Sequence, residues 1–167
     1  MQNQNYAMLI TLNNHLQAIR FFLYCLVAIM LNSTIFSALE YFCTSNIQPN
    51  PILEKESLAF RIIIGILIAP LLEAYLFQKL PFLIMSRLKV KSMLVRITLP
   101  SLAFAINHSF SIFYVGFAFI TGIILNYMYI ACKENNKGYA FIAVALIHSI
   151  YNTIALALPL LFEHKSS

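Results

Sequence analysis

The amino-acid sequence predicts an all-α protein, a polytopic bundle of about five transmembrane helices. Of its 167 residues, 60% are hydrophobic and only 10% are charged, whereas a soluble domain has about 25% charged residues. The mean hydropathy is +0.79, and the apolar residues are gathered into five long stretches. Each stretch is long enough for a helix to cross the hydrocarbon core, which takes about 20 residues. The stretches do not alternate between polar and apolar residues, so helices are favoured over membrane strands.

The five predicted spans follow one another with short connections. The third and fourth are separated by little more than the residues SFSI, which predicts a tight helical hairpin. No internal repeat is visible, so we expect a single membrane-embedded helical domain over residues 1–167. In chain order the predicted spans are residues 19–42, 58–85, 93–110, 113–132 and 139–162.

Basic residues predict the orientation of the bundle. Residues 86–96 include four basic residues and no acidic one, and the later connection KENNKG contains two lysines and one glutamate. Five spans place both connections on one side, and an excess of Lys and Arg marks the cytoplasmic side. We therefore expect a multi-pass protein of the cell membrane with a cytoplasmic N-terminus and an external C-terminus. No nucleic-acid motif accompanies the net charge of +5, so a nucleic acid partner is not expected. The basic residues of the first connection are Arg87, Lys89, Lys91 and Arg96.

Three ionisable residues lie inside predicted spans at a similar depth. Glu73 lies in the apolar run IAPLLEAYLFQKLPF, and His108 and His148 lie in the third and fifth spans. Counted from the basic connections at 1.5 Å per residue, they lie roughly 21, 18 and 17 Å into the membrane. Asn152 follows His148 by four residues, so the two share one helix face. Ionisable groups are expensive to place in a membrane and commonly mark functional sites.

Pro70 lies three residues before Glu73. It cannot donate a hydrogen bond to the Ile66 carbonyl, which predicts a kinked or loosened helix one turn before Glu73. The freed backbone group needs a buried partner or water.

A carboxylate, two imidazoles and an amide at one level fit more than one kind of site. They are the groups of a hydrolytic or metal-binding site, and they also suit a proton path in a small ion-coupled transporter. Histidines in membrane helices also form structural hydrogen bonds inside bundles. Composition and depth leave these alternatives open, although five spans without an inverted repeat count against a transporter.

Three short motifs occur in order along the chain: EAYLFQ, which begins at Glu73, FAINH, which ends at His108, and HSIYN, which runs from His148 to Asn152. Together they resemble the motifs of the CPBP family, the CAAX-protease and bacteriocin-processing intramembrane proteases. Members of that family carry Glu-Glu-x-x-x-Arg, Phe-x-x-x-His and His-x-x-x-Asn or Asp, each on a different membrane helix. The resemblance covers about residues 65–155.

The resemblance implies an intramembrane endopeptidase with the catalytic residues Glu73, His108, His148 and Asn152. Glu73, assisted by His108, would activate a water molecule, and His148 and Asn152 would bind the oxyanion. An alternative places a divalent metal ion, with zinc as the best fit, on Glu73, His108 and His148. The implied partners are membrane lipid and a peptide or prenylated protein substrate.

Two residues depart from the first motif: Ala74 stands where the family has its second glutamate, and Gln78 stands where it has arginine. If those two family residues support one another, losing both leaves no unpaired charge in lipid, and the fold can persist. The departures also favour an alternative function, a catalytically impaired pseudoprotease that acts in bacteriocin self-immunity or membrane binding. The small size of the chain favours a prokaryotic plasma membrane and an accessory or immunity role.

Overall fold

The computed structural model describes the backbone of residues 2–45, 56–135 and 138–163 and the side chains of residues 16–45, 56–135 and 138–159. Within these ranges the chain forms five helices and no strands, which confirms the predicted all-α membrane bundle. Residues 46–55, Lys137 of the KENNKG connection and the last four residues lie outside these ranges. The helices are α1 (Gln2–Thr44), α2 (Leu58–Arg87), α3 (Met93–Ile106), α4 (Ile112–Glu134) and α5 (Ala140–Glu163).

Four of these helices are long and apolar enough to cross a membrane: α2, α4, and the parts of α1 and α5 over Leu16–Thr44 and Ala140–Pro159. Their outer surface is apolar, as contact with lipid requires. Leu67 on α2 and Leu146 on α5, for example, are 55% and 57% exposed. An apolar surface of this extent indicates a membrane environment, so the chain is a multi-pass membrane protein.

The third predicted span, residues 93–110, is too long, because the helix ends at Ile106. The α3 helix has 14 residues and a length of roughly 21 Å, which is shorter than a hydrocarbon core of about 30 Å. The chain turns back after Ile106. The Ser111 side chain then caps α4 by accepting a hydrogen bond from the Tyr114 N–H at 3.1 Å. This cap fixes the start of the next helix within the predicted connection SFSI.

The α2 helix departs from regular α-helical geometry in two places. Ile62–Ile68 and Tyr75–Lys79 are π-helical, and hydrogen bonds there span five residues. Each stretch ends two residues before a proline, Pro70 or Pro81, and the missing N–H of proline interrupts the regular series of hydrogen bonds. The loosening that Pro70 predicts is therefore present, on the turn before Glu73.

Buried amide side chains join the helices. The Asn32 amide on α1 donates to the Phe117 carbonyl oxygen at 2.9 Å and to Thr121 Oγ1 at 3.0 Å, both on α4. The Asn126 amide on α4 donates to Ser101 Oγ on α3 at 3.2 Å. Because lipid offers no alternative partner, such bonds fix which face of each helix is turned to the interior.

The main apolar core fills one half of the bundle. It is built from α1, α4 and α5 with one residue of α2. Leu125 and Met128 on α4, Val144 on α5 and Ala74 on α2 are completely buried in it. The α4 and α5 residues of this core come from the C-terminal half of α4 and the N-terminal half of α5, so the packed half lies next to the connection between those two helices.

Candidate active site

Glu73, His108 and His148 converge from three parts of the fold. Glu73 lies on α2, His148 lies on α5, and His108 lies in the turn after α3 rather than inside a span as predicted. The Glu73 Oε1 atom is 3.5 Å from His108 Nε2, and Glu73 Oε2 is 3.5 Å from His148 Nδ1. All three side chains are shielded, with exposed fractions of 17% for Glu73, 14% for His108 and 8% for His148. The three residues that were predicted to lie at a similar depth in the membrane are thus also close to one another.

A backbone hydrogen bond fixes the orientation of His108. Its Nδ1 atom lies 2.8 Å from the Phe104 carbonyl oxygen. A carbonyl oxygen can only accept, so Nδ1 carries the hydrogen and Nε2 is presented to Glu73. The Phe104 ring packs against both imidazoles, with centroid distances of 4.3 Å to His108 and 6.0 Å to His148. The four-residue spacing of the FAINH motif therefore lets one aromatic residue support both histidines.

Asn152 satisfies a backbone group that Pro70 leaves without a partner. In the π-helical stretch the Ala69 N–H donates to the Ile64 carbonyl oxygen. The Gly65 carbonyl would then need the N–H of residue 70, which proline lacks. The Asn152 Nδ2 atom donates to the Gly65 carbonyl oxygen at 2.7 Å instead. An amide group has two N–H bonds, so this hydrogen bond orients Asn152 and uses only one of its donors.

The four residues line a cavity of about 410 Å³ between α2, α4 and α5. This volume lies within the roughly 300–1,000 Å³ that is usual for ligand pockets. Most of the wall is apolar. The remaining polar wall residues are Arg61, Tyr114, Thr121 and Tyr151.

One family profile matches the chain: type II CAAX prenyl endopeptidase Rce1-like, over residues 55–154. The chain belongs to this family. The match covers more than half of the chain, and it includes all four residues of the predicted site, which confirms the resemblance at the level of the family. Rce1-like proteins are CAAX-type intramembrane endopeptidases. No curated protein and no solved structure matched the chain.

This Rce1-like chain has its two motif departures outside the cavity. Ala74 and Gln78 are 0% and 1% exposed, and neither contributes to the cavity wall. Ala74 belongs to the main apolar core. The Gln78 amide has no hydrogen-bond partner within the part of the chain that the structure describes. Both substitutions therefore act on the packed interior of the bundle.

A metal site is the alternative for the same residues. Among the described side chains, no group of three His, Cys, Asp or Glu residues has the arrangement of a metal site. The zinc set predicted for this Rce1-like chain, Glu73, His108 and His148, is not such a group. Zinc binding stays a prediction that chelation can check.

Sequence reasoning did not single out four polar residues of the cavity wall, Arg61, Tyr114, Thr121 and Tyr151. Arg61 and Tyr114 lie in the first turns of α2 and α4, where the sequence around them carries no signal. Tyr151 lies inside the HSIYN motif, one residue before Asn152, and this position could have identified it. Its hydroxyl donates to Ser33 Oγ at 2.9 Å, which joins α5 to α1 beside the site.

Proposed function

We propose that this chain is an intramembrane endopeptidase that hydrolyses a peptide bond in the cavity lined by Glu73, His108, His148 and Asn152. The observation that carries the proposal is the Glu73 carboxylate, which has an imidazole nitrogen 3.5 Å from each of its oxygens. It lies in a cavity of about 410 Å³, large enough to hold a peptide segment. The substrate would be a peptide or prenylated protein segment, and lipid would surround the bundle.

Glu73 and His108 would activate the attacking water. With Glu73 ionised and His108 neutral, the carboxylate and the bare Nε2 would both be acceptors and would not bond each other directly. A water molecule can donate one hydrogen to each and direct a lone pair at the substrate carbonyl carbon. As the water oxygen attacks, one of its protons passes to the Glu73–His108 pair. The pair then returns that proton to the departing amine nitrogen as the C–N bond breaks.

Asn152 and His148 would stabilise the oxyanion. The hydrogen bond to the Gly65 carbonyl holds the Asn152 amide, so its second N–H can meet the developing charge without reorganisation. His148 lies one turn earlier on the same face of α5, and it would supply the second donor. Loss of one such donor typically lowers kcat by about 100- to 1,000-fold.

Peptide cleavage in detergent tests the proposal. Purified protein is incubated with a panel of prenylated peptides and bacteriocin leader peptides, and products are identified by mass spectrometry. Wild type should cleave at least one peptide, while Glu73→Gln and His108→Ala should cleave none although circular dichroism shows them folded. Glu134→Gln makes the same chemical change at an exposed position at the end of α4 and should cleave like wild type. Cleavage that persists in Glu73→Gln would overturn the role of that residue.

A pseudoprotease is the second candidate, and the buried Ala74 and Gln78 are the observation that favours it. Such a protein would retain the fold and act as a bacteriocin self-immunity or membrane binding protein. It predicts that no folded form cleaves any peptide. It also predicts that expression protects cells against a bacteriocin and that Glu73→Gln leaves this protection unchanged.

We also propose that residues 1–167 form one helical domain in a prokaryotic plasma membrane, with the N-terminus in the cytoplasm and the C-terminus outside. The support comes from the basic residues at one end of the bundle. Arg96, at the start of α3, lies 3.8 Å from Glu134 at the end of α4. The connection before α3 and the end of α4 therefore adjoin, and together they form the basic, cytoplasmic end.

A further inference from the structure

A second, smaller cavity adjoins the active-site cavity. Its volume is about 40 Å³, and it lies between α1, α4 and α5. Tyr114, Phe117 and Tyr151 line both cavities, so their side chains separate the two. The Tyr114 ring also packs against His108, with centroids 5.9 Å apart. A group that touches the face of the Tyr114 ring, at a contact distance of about 4 Å, therefore lies within about 10 Å of His108.

The α1 helix contributes a polar wall to the small cavity. This helix lies before the family match, which begins at residue 55. Ser33, Ser37 and Glu40 follow one another at helical spacing, so they share one face of α1, and all three line the cavity. The hydrogen bonds from Asn32 to α4 turn this face to the interior. The Tyr151 hydroxyl, which donates to Ser33 Oγ at 2.9 Å, holds α5 against the same face.

The Glu40 side chain is turned into the bundle, although Glu40 lies near the end of α1. Its exposed fraction is 5%, whereas those of the nearby apolar residues Leu39 and Phe42 are 45% and 82%. A carboxylate inside a membrane bundle is expensive unless it is paired. In the part of the chain that the structure describes, no ion pair includes Glu40 and no basic residue lines the small cavity. Glu40 therefore costs stability, as residues kept for function commonly do.

The rest of the small cavity is aromatic. Five of its eight described wall residues are Phe or Tyr, and aromatic rings attract cations to their faces. Gly116 on α4 leaves room for one of these rings, that of Phe36, because a Cβ at Gly116 would overlap it. The volume of about 40 Å³ exceeds the roughly 10–15 Å³ that holds one water molecule. A carboxylate, hydroxyl oxygens and aromatic rings around a space of this size suit a primary ammonium group.

We infer that the small cavity is a substrate subsite in which Glu40 binds the ammonium group of a lysine in the peptide. This inference rests on the proposed endopeptidase function and names a feature of its substrate. The short distance to His108 favours the peptide over a lipid headgroup as the source of the ammonium. Tyr114 lies in the first turn of α4, and rotation of its side chain joins the two cavities. An extended peptide spans about 3.3–3.6 Å per residue, so the lysine lies within about three residues of the cleaved bond.

Matched peptides test the subsite. A peptide that the detergent-solubilised protein cleaves is synthesised with lysine or norleucine at each of about three positions on either side of the cleaved bond. Norleucine has the carbon chain of lysine but no ammonium group. At one position kcat/KM should be at least about tenfold higher with lysine, and this ratio should fall to about 1 in Glu40→Gln. Glu134→Gln, which changes an exposed glutamate, should keep the wild-type ratio. The same ratio in wild type and Glu40→Gln overturns the inference.

Peptide binding tests the subsite without catalysis. Fluorescence anisotropy measures the affinity of labelled lysine and norleucine peptides for Glu73→Gln and for the double variant Glu73→Gln/Glu40→Gln. The lysine peptide should bind Glu73→Gln at least about tenfold more tightly, and the double variant should bind both peptides alike. If wild type cleaves no peptide, the proposed function fails, whereas a lysine preference that depends on Glu40 still supports the ammonium site. Cleavage and binding without a lysine preference overturn the ammonium site and leave the proposed function standing.

Thermal melts in detergent separate loss of the subsite from loss of the fold. Glu40→Gln should melt at or above the wild-type temperature, because it removes an unpaired buried carboxylate. A lower melting temperature would assign Glu40 to the support of the fold and overturn the inference. Added phosphatidylethanolamine provides the last arm. If it raises the melting temperature of wild type but not of Glu40→Gln, and lysine gives no preference, the ammonium is that of a lipid headgroup and the substrate subsite is refuted.

Discussion

Asn152→Leu is expected to destabilise the protein through the Gly65 carbonyl. The substitution keeps the number and branching of the side-chain heavy atoms but removes the donor that lies 2.7 Å from the Gly65 oxygen. A buried polar group without a partner costs about 1–3 kcal/mol, and side-chain hydrogen bonds in membrane proteins have measured values up to about 1.7 kcal/mol. We therefore expect the free energy of unfolding to fall by about 1–2 kcal/mol.

Pro70→Ala should remove most of that loss. The new N–H at residue 70 can donate to Gly65 if the stretch stays π-helical, and the Ala69 N–H can donate if it becomes α-helical. In either case the Gly65 carbonyl has a backbone partner without Asn152. In the Pro70→Ala background, Asn152→Leu should then cost less than about 0.5 kcal/mol, so the two substitutions interact by about 1 kcal/mol.

Unfolding by SDS titration in mixed micelles, followed by circular dichroism, measures the four free energies. Thr153→Val is the control, because Thr153 is the exposed neighbour of Asn152 on α5 and its effect should be the same in both backgrounds. If Asn152→Leu lowers the free energy of unfolding equally in the wild-type and the Pro70→Ala backgrounds, Asn152 does not serve as the partner that Pro70 denies to the Gly65 carbonyl. The same variants separate stability from catalysis. If Asn152 also binds the oxyanion, the double variant regains stability yet remains at least about 100-fold slower in hydrolysis.

Three further outcomes are expected. Restoring one motif residue, Ala74→Glu or Gln78→Arg, should lower the unfolding midpoint in detergent more than restoring both, because an unpaired buried charge costs about 3–5 kcal/mol; equal effects would contradict the pairing. Gly122→Ala should destabilise by about 1–3 kcal/mol, since its Cβ would lie 3.0 Å from Ser101 Cα, whereas Gly138→Ala, which meets no atom within 4 Å, should be neutral in the same melts. Chelation should leave hydrolysis unchanged, and an activity lost to chelator and restored by zinc would favour the metal alternative.

The convergence of Glu73, His108 and His148 could be predicted because helical rise converts sequence distance into membrane depth. The end of α3 could not be predicted in the same way. The predicted span included Asn107, His108 and Ser109 because a full membrane crossing takes about 20 residues. The helix instead ends at Ile106, where these polar residues begin, and the Ser111 side chain caps the next helix.

The partner of Asn152 illustrates a second limit. Pro70 predicts an unpaired carbonyl, but regular α-helical spacing assigns it to Ile66. In the π-helical stretch each N–H donates to the carbonyl five residues earlier instead of four. The carbonyl that Pro70 leaves unpaired is therefore that of Gly65. A sequence reveals that a proline frees a backbone group, whereas the register of the surrounding helix decides which group it is.

The positions of Ala74 and Gln78 bear on whether a chain with a changed first motif can still be catalytic. They are four residues apart and share the face of α2 that meets the packed interior, while Glu73 turns to the cavity. The Gln78 amide has no hydrogen-bond partner among the described residues, which is a cost to stability of the kind that the loss of a supporting pair would leave. A protein that acted only by binding would have no chemical need for a carboxylate between two imidazoles. This chain has changed the motif where it packs and kept it where it faces the cavity, which is the pattern expected of a hydrolase.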